Sequence, residues 1–346
     1  MVNMGIIGLG HWGPNLLRNF CNHPDVNVKA VCDKAPDKKK KITESGIKFT
    51  QNCDEITAPD NGIDAVAVVT PLATHFKIAK TALENGKHLF IEKPVAPTSA
   101  EALELIKLAK KKNLRFMVGH VFLYNAGIRF VKEQISSGEL GKILYIHGQR
   151  TNLGPVRPDA SALWDLAAHD VSIFNYWLDA LPENSTANGS ALLNPDVEDI
   201  VNATFNYPDN IKCNILASWL HPSKVRQITV VGDKKMLIWD DMSQSEPIKI
   251  FDKSIHRSEM PEQIEGTLTE FRFSIQDGQV FIPRIKQCEP LKEECNHFID
   301  CILNDTVPLS DGVNGYHVVT ALEAATESLR RNSEITEVKV AENYRS

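Results

Sequence analysis

The chain has 346 residues, with 38 lysines and arginines against 44 aspartates and glutamates, a formal charge of −6. That balance argues against a nucleic-acid binder, and no apolar run approaches the length of a membrane span. The length suggests two domains with ample core, and an apolar share of 42% is ordinary for a globular protein. Seven cysteines (Cys21, Cys32, Cys53, Cys213, Cys288, Cys295 and Cys301) form no CxxC pair. Cys295 with His297 lacks the second ligand pair of a zinc motif, so free thiols and no metal site are expected. Free thiols suit a reducing cytoplasm, and the first strand begins at once, leaving no room for a secretion signal.

That first strand runs into Gly8-x-Gly10-x-x-Gly13, followed by a helical pattern and a second strand ending in Asp33. Strand, glycine turn and helix in this order are the context in which a dinucleotide binds. Gly8 permits the turn, Gly10 lets backbone approach a pyrophosphate, and Gly13 lets helix and strand pack. The helix amino end points free N–H groups at the phosphates, and Pro14 fits its first turn. Asp33, twenty residues past Gly13, can accept bonds from the adenosine ribose and would repel a 2′-phosphate. This favours NAD. Lys34 and the run at 38–41 sit nearby; they read as a solvated helix start, and otherwise leave NADP open.

The alternation continues. Residues 38–45 read as a helix closed by Gly46, and 64–70 as a doubly buried strand ending at Thr70-Pro71. Residues 72–85 read as a helix stopped by Gly86, and 88–92 as a strand. A capping box at Thr98 and Glu101 opens a helix to 112, and a strand at 114–118 ends before Gly119-His120. Such spacing predicts a doubly wound parallel sheet, a Rossmann domain over residues 1–122, with ligands outside the strand carboxyl ends. Beyond it, residues 123–346 read as an α+β domain for substrate binding and oligomerisation. A short helix at 128–136 and a strand at 142–151 precede a strongly apolar helix at 162–178. Strands at 201–207, 211–220, 227–232, 236–240 and 248–252 read as a mostly antiparallel sheet of hairpins. Residues 253–285 suggest a long excursion, and helices at 291–303 and 315–331 precede a strand at 335–340.

Two groups carry chemistry. Glu92-Lys93-Pro94 stands at a strand end beside the expected cofactor, where the Lys93 ammonium can favour a developing alkoxide; Pro94 fixes the chain direction there, with a cis bond one way to do so. Alternatively Lys93 is a surface residue at a loop start. In the apolar helix, Asp165 and His169 are four apart and share a face. A buried imidazole beside a carboxylate suits general acid/base work, its reference pKa being about 6.5. The alternative is a core histidine satisfied by Asp165, with Asp170 making a cap or domain contact. Tyr124, Arg150, Asn152 and Arg157 lie where the second domain should face the nicotinamide, and arginine suits carboxylate or phosphate; otherwise they are solvated loop residues.

The layout resembles the glucose–fructose oxidoreductase, inositol dehydrogenase and rhizopine-catabolism (Gfo/Idh/MocA) family over essentially the whole chain. The residues that carry this are GLGHWGPN at 8–15, Asp33, Thr70-Pro71 with Thr74-His75, Glu92-Lys93-Pro94, and Asp165-x-x-x-His169. ECNHFIDCI at 294–302 and PLSDG at 308–312 add to it. The resemblance implies an NAD(P)-dependent oxidoreductase acting on a secondary alcohol of a sugar. Lys93 would hold the reacting hydroxyl, His169 would take its proton, and Asp165 would orient substrate or imidazole. Gly8, Gly10, His11, Trp12, Gly13, Asp33, Thr70, Pro71, His75, Glu92, Lys93 and His120 would contact the cofactor. One departure stands out: residues 159–163 carry no glycine, where the family usually has them. The texture of residues 145–170 resembles the branch acting on nucleotide-linked sugars such as a UDP-N-acetyl-glucosaminuronate, oxidised at carbon 3. An inositol-type polyol is the alternative substrate. An NAD-dependent glycosidase, a cofactor-sensing regulator and an imine or enal reductase are alternative activities, and relatives imply a homodimer or homotetramer.

Overall fold

The computed structural model describes residues 1–42, 46–157, 160–258 and 272–345. Among these, the first sheet contains β1 (Val2–Ile7), β2 (Val26–Cys32), β3 (Lys48–Thr50), β4 (Ala65–Val68), β5 (His88–Glu92) and β6 (Phe116–Gly119). All neighbours are parallel, in the order β3-β2-β1-β4-β5-β6. This is the doubly wound order, with its switch between β1 and β4. Every residue of β4 is buried, as its unbroken apolar run requires of a strand covered on both faces. Helices α1 (Gly13–Cys21), α2 (Asp54–Thr57), α3 (His75–Glu84) and α4 (Ser99–Lys111) make the connections. Thr98 caps α4 by accepting from the Glu101 N–H at 3.2 Å. The basic run is a 3-10 turn over Pro36–Lys41 instead of the start of a longer helix; four lysines in succession give it no apolar face to bury. Residues 43–45 of that expected helix lie outside the described residues.

The second unit begins with α5 (Ala126–Ser136), β7 (Ile143–Leu153) and α6 (Ala168–Leu178). Strands β8 (Asn184–Ser190), β9 (Ile200–Tyr207), β10 (Ile211–Ser218), β11 (Leu220–Gly232), β12 (Met236–Asp240), β13 (Ile248–Ser258) and β14 (Arg272–Phe281) follow. Two helices, α7 (Pro290–Leu303) and α8 (Gly312–Arg330), and a two-residue strand, β15 (Thr336–Glu337), close the chain. The sheet order is β14-β13-β12-β11-β7-β10-β9-β8-β15. It is mostly antiparallel, but β10 runs parallel to β7, and β7 lies between β10 and β11. The hairpin reading therefore fails at this one step. It also misses β8, whose sequence NSTANGS has no apolar alternation. The stretch at 253–285 is in part a hairpin, since β13 and β14 pair, and residues 259–271 lie outside the described residues.

The last two long helices return to the first sheet. Phe298 of α7 meets Phe20 and Phe90 edge-on at centroid distances of 6.4 and 5.7 Å. Tyr316 and Val319 of α8 share a buried cluster with Ala102, Leu105 and Val118. The Val118 N–H donates to Ser310 O at 2.7 Å, and Met117 bridges Asp311, so the approach to α8 covers the edge at β6.

Candidate active site

The glycine turn at the end of β1 is held from two sides. Gly8 adopts φ +106°, where a side chain is strained, and a Cβ there would overlap Val69 O. A Cβ on Gly13 would overlap Gly8 O, so the turn and α1 are in direct backbone contact. A Cβ on Gly10 would meet nothing within 4 Å. That open space over exposed backbone, at a helix amino end, is what a pyrophosphate requires. Asp33 at the end of β2 accepts from Leu9 N at 2.7 Å and from Ala35 N at 2.9 Å, which fixes its carboxylate beside the turn. Lys41, from the basic run, donates to Leu9 O and Gly10 O at 2.8 and 2.9 Å. This lysine is not a solvated surface charge, as expected for the run, but a clasp over the turn. His11 and Trp12 are exposed at its lip. The residues present therefore fit a bound dinucleotide.

Glu92, Lys93 and Pro94 follow β5, and the Lys93–Pro94 peptide is cis. Lys93 Nζ, with its side chain 11% exposed, donates to Asp165 O at 2.6 Å and lies 3.4 Å from Asp165 Oδ1. Arg157 Nη1 approaches the same carboxylate oxygen at 3.1 Å. Asp165 therefore sits between two cations, Lys93 and Arg157, and makes no hydrogen bond to His169. The cause is local: Leu163–Ala167 form a π turn ahead of α6, wider than the α spacing that would stack the pair. Trp164 anchors that turn by donating to Thr326 Oγ1 of α8 at 2.9 Å. Residues 158–159, part of the approach without glycines, lie outside the described residues.

His169 Nδ1 is buried without a hydrogen-bond partner, so the expected Asp165–imidazole pair is not formed. The ring meets Phe122 edge-on at 4.9 Å. Burial lowers its pKa well below the ordinary histidine value, and the nearby cations Lys93, Arg150 and Arg226, with His120, add to this. The ring is thus in its neutral form, the form that can accept a proton, and its affinity for that proton is reduced.

Several expected contacts are spent on the protein instead. Arg150 is 3% exposed and clamps Asp170 with two hydrogen bonds of 2.8 and 3.0 Å, so it is a buried strand residue and not a solvated loop residue. Burial in β7 leaves it no route to solvent, and its guanidinium stacks on Phe122 at 4.5 Å. Tyr124 is fully buried with its hydroxyl 3.0 Å from Ser310 Oγ. His75, 1% exposed, spans Pro94 O and Thr70 O at 2.9 and 2.8 Å and so ties two strand ends together. His120, 2% exposed, lies below the surface with both ring nitrogens unpartnered, and burial lowers its pKa to about 3. Asn152 donates to Gly154 O within its own strand end. Thr70 accepts from Thr74 Oγ1 at 2.8 Å, and Pro71 beside it is exposed. Burial pushes the Glu92 carboxyl up to about 7, partly offset by Lys93, and Gly119 is the residue over which it packs.

Three residues here were invisible to motif reading. Phe122 and Arg226 belong to no pattern. Glu294 lay in plain view within ECNHFIDCI, yet nothing in that run says that its carboxylate is fully buried with both oxygens unpartnered.

Comparison with known proteins gives the family. Residues 2–120 match the model of the oxidoreductase family with an NAD-binding Rossmann fold, and residues 128–238 match the Gfo/Idh/MocA carboxy-terminal domain. The chain belongs to the Gfo/Idh/MocA oxidoreductase family, and its first domain is the NAD-binding domain of that family. It is similar to UDP-N-acetylglucosamine 3-dehydrogenase of Acidithiobacillus ferrooxidans, 24% identical over 93% of this chain and 96% of the relative. The fold matches a solved structure of the enzyme from that organism with TM-score 0.75, 23% identity, and coverage of 94% and 98%. It is also similar to scyllo-inositol 2-dehydrogenase (NAD(+)) of Bacillus subtilis, 29% identical over 57% of this chain and 60% of the relative. Against other curated relatives the chain spans about half of their length, 53% in one case and 40% in another. Among the described residues, no helix is long and apolar enough to cross a membrane.

Proposed function

We propose that this protein is an NAD-dependent dehydrogenase that interconverts a secondary alcohol and a ketone on a nucleotide-linked sugar. The observation that carries the proposal is the meeting of Lys93 and Asp165 at 2.6 Å, between the NAD-binding domain and the π turn that leads to His169. Bound nicotinamide supplies the redox chemistry, as hydride acceptor or donor. Lys93 holds the substrate hydroxyl through its ammonium and favours the oxygen as negative charge develops. Asp165 and Arg157 fix where that ammonium can point. His169, kept neutral by burial and by neighbouring cations, takes the hydroxyl proton and returns it in the reverse direction. Gly10, Asp33 and the amino end of α1 bind the dinucleotide, with Lys41 closing the turn beneath it.

The nucleotide-sugar reading is supported by the alignment with the UDP-N-acetylglucosamine 3-dehydrogenase, which runs almost end to end through both domains. A free polyol is the second reading, supported by the higher identity to scyllo-inositol 2-dehydrogenase over a shorter span. A regulator without turnover has no need of a lysine within electrostatic reach of a neutral imidazole. The test is NADH formation from NAD⁺ against a pool of nucleotide-linked sugars and a pool of free polyols, with His169→Ala as control. Signal from the first pool alone, lost in the variant, is the expected result; signal from the polyols alone replaces the substrate class, and silence from both refutes the dehydrogenase.

A homo-oligomer belongs to the same proposal. The second sheet carries exposed apolar side chains at Leu144, Tyr145, Ile255 and Ile275, and Ile255 pairs with Ile275 across β13 and β14. An apolar sheet face of this kind suits a second copy of the chain. Sedimentation at a monomer mass would refute it.

A further inference from the structure

A catalytic histidine is ordinarily held by an acceptor on its second nitrogen, which fixes both tautomer and ring orientation. His169 has none. Its Nδ1 is buried and unpartnered, and Asp165 is engaged by Lys93 and Arg157. Its orientation must therefore come from packing.

One side chain stands out in that packing. Phe122 lies in the 3-10 turn Val121–Tyr124, just past the end of β6. Its ring meets the His169 ring at 4.9 Å and 71°, and the Trp239 ring at 6.0 Å and 88°. The Arg150 and Arg226 guanidiniums lie 4.5 and 6.0 Å from the same ring centre. Each is matched by a carboxylate, Arg150 by Asp170 at 2.8 Å and Arg226 by Asp241 at 3.1 Å. Phe122 is thus braced by β7, β11 and β12, and it touches the imidazole directly.

We propose that Phe122 is the positioning residue for His169, its ring standing in for the missing hydrogen-bond acceptor. The proposal rests on the dehydrogenase reading for its role in turnover, but not for its structural content. An aromatic ring can hold an imidazole without accepting its proton, so orientation is fixed and basicity is left to the surroundings. Those surroundings are the cations Lys93 after β5, Arg150 on β7 and Arg226 on β11, with His120 at the end of β6. The three cations oppose a further positive charge on the ring.

The first test needs no substrate. In the full-length protein labelled with ¹⁵N-histidine, His169 ring signals are assigned by their loss in His169→Ala. The expected result is one sharp tautomer in the wild type, tautomer averaging or broadening in Phe122→Leu, and the wild-type pattern in Phe122→Tyr. Phe122→Met takes the place of the leucine variant if that variant does not fold. Unchanged His169 signals without the ring overturn the proposal, as does equal disturbance in the tyrosine variant. The second test is turnover on the nucleotide-sugar pool. Loss of the ring should lower kcat by about 10²-fold with KM nearly constant, as expected for a misplaced base, and Phe122→Tyr should recover most of the loss. Wild-type kcat in the leucine or methionine variant overturns the proposal. If that pool gives no turnover with the wild type, the same comparison is made on the polyol pool; silence from both fails the dehydrogenase reading, and the nitrogen spectra alone then decide the role of Phe122.

Discussion

Lys93 donates to the backbone carbonyl of Asp165 at 2.6 Å, and this single bond joins the end of β5 in the NAD-binding sheet to the π turn ahead of α6. Because the acceptor is a carbonyl, the bond survives any change in the Asp165 side chain. Asp165→Asn should therefore leave Lys93 in place and alter mainly its charge environment, lowering kcat less than Lys93→Met does. Steady-state NADH formation by the two variants checks the order; equal losses would show that the carboxylate, not the carbonyl, directs the ammonium.

Lys93→Met and His169→Ala should each lower turnover by about 10²- to 10⁴-fold, the usual range for a positioned acid or base. NADH affinity should stay near wild type in both, since the glycine turn and Asp33 are untouched. Fluorescence titration with NADH, together with turnover, separates the two effects. Full turnover in either variant would remove that residue from the mechanism.

The low pKa of His169 has a sign that can be checked. Burial and neighbouring cations favour the neutral ring, so the base remains competent as pH falls below the ordinary histidine value of about 6.5. The acid limb of kcat/KM for alcohol oxidation should accordingly lie below that value. A limb at or above it would mean that the ring is not held neutral.

Asp33 accepts from Leu9 N at 2.7 Å beside the glycine turn, and in the proposed function it also binds the adenosine ribose. Asp33→Ala should weaken NADH binding and narrow any preference over NADPH. Lys41→Ala removes the clasp on Leu9 O and Gly10 O and should loosen the same turn without changing that preference. Affinities for both cofactors, measured by calorimetry, distinguish the roles.

Arg150 and Asp170 form a buried pair, so removing one partner strands a charge. Arg150→Met should destabilise the fold by about 3–5 kcal/mol, with the double variant Arg150→Met, Asp170→Leu recovering much of it. Urea unfolding measures this. A substrate-binding role for Arg150 would instead raise KM with stability intact.

Glu294 is a buried carboxyl whose pKa burial raises well above 4.5, with Glu92 adding to the effect. The folded state thus keeps a proton that the unfolded chain releases. This contribution to stability is whole below about pH 4.5 and is lost as pH rises towards the folded pKa. Glu294→Gln, neutral and nearly isosteric, should unfold at a higher temperature than wild type in alkaline buffer, with the gap closing towards pH 5. A constant gap across pH would place the effect elsewhere.

The Rossmann half could be read from the sequence because its strands are apolar on both faces and its turn needs glycines in fixed positions. Those constraints are local. The second sheet was harder. Insertion of β7 between β10 and β11 is a choice of partner, which no short pattern encodes, and β8 is held by β9 and by Ser328 Oγ accepting from Ala187 N at 2.9 Å. The catalytic candidates stood out as motifs, but their contacts did not. The spacing of Asp165 and His169 suggested a pair only because an α helix was assumed, and the π turn breaks it. Arg150 reads as exposed because arginine usually is, and its partner Asp170 lies twenty residues away, where no local pattern links the two.

The return of α7 and α8 to the first sheet has a consequence for synthesis. Phe298 helps to close the core cluster that starts at Val2, and Tyr316 and Val319 the one that starts at Ile7. At roughly 5–20 residues per second, the ribosome needs about 10–40 s between the end of β6 and the end of α8. For that interval the cofactor-binding half waits with apolar surface uncovered, and its first strand can reach its final packing only when the chain is nearly made. A nascent protein of this design is exposed longest in the part that binds NAD.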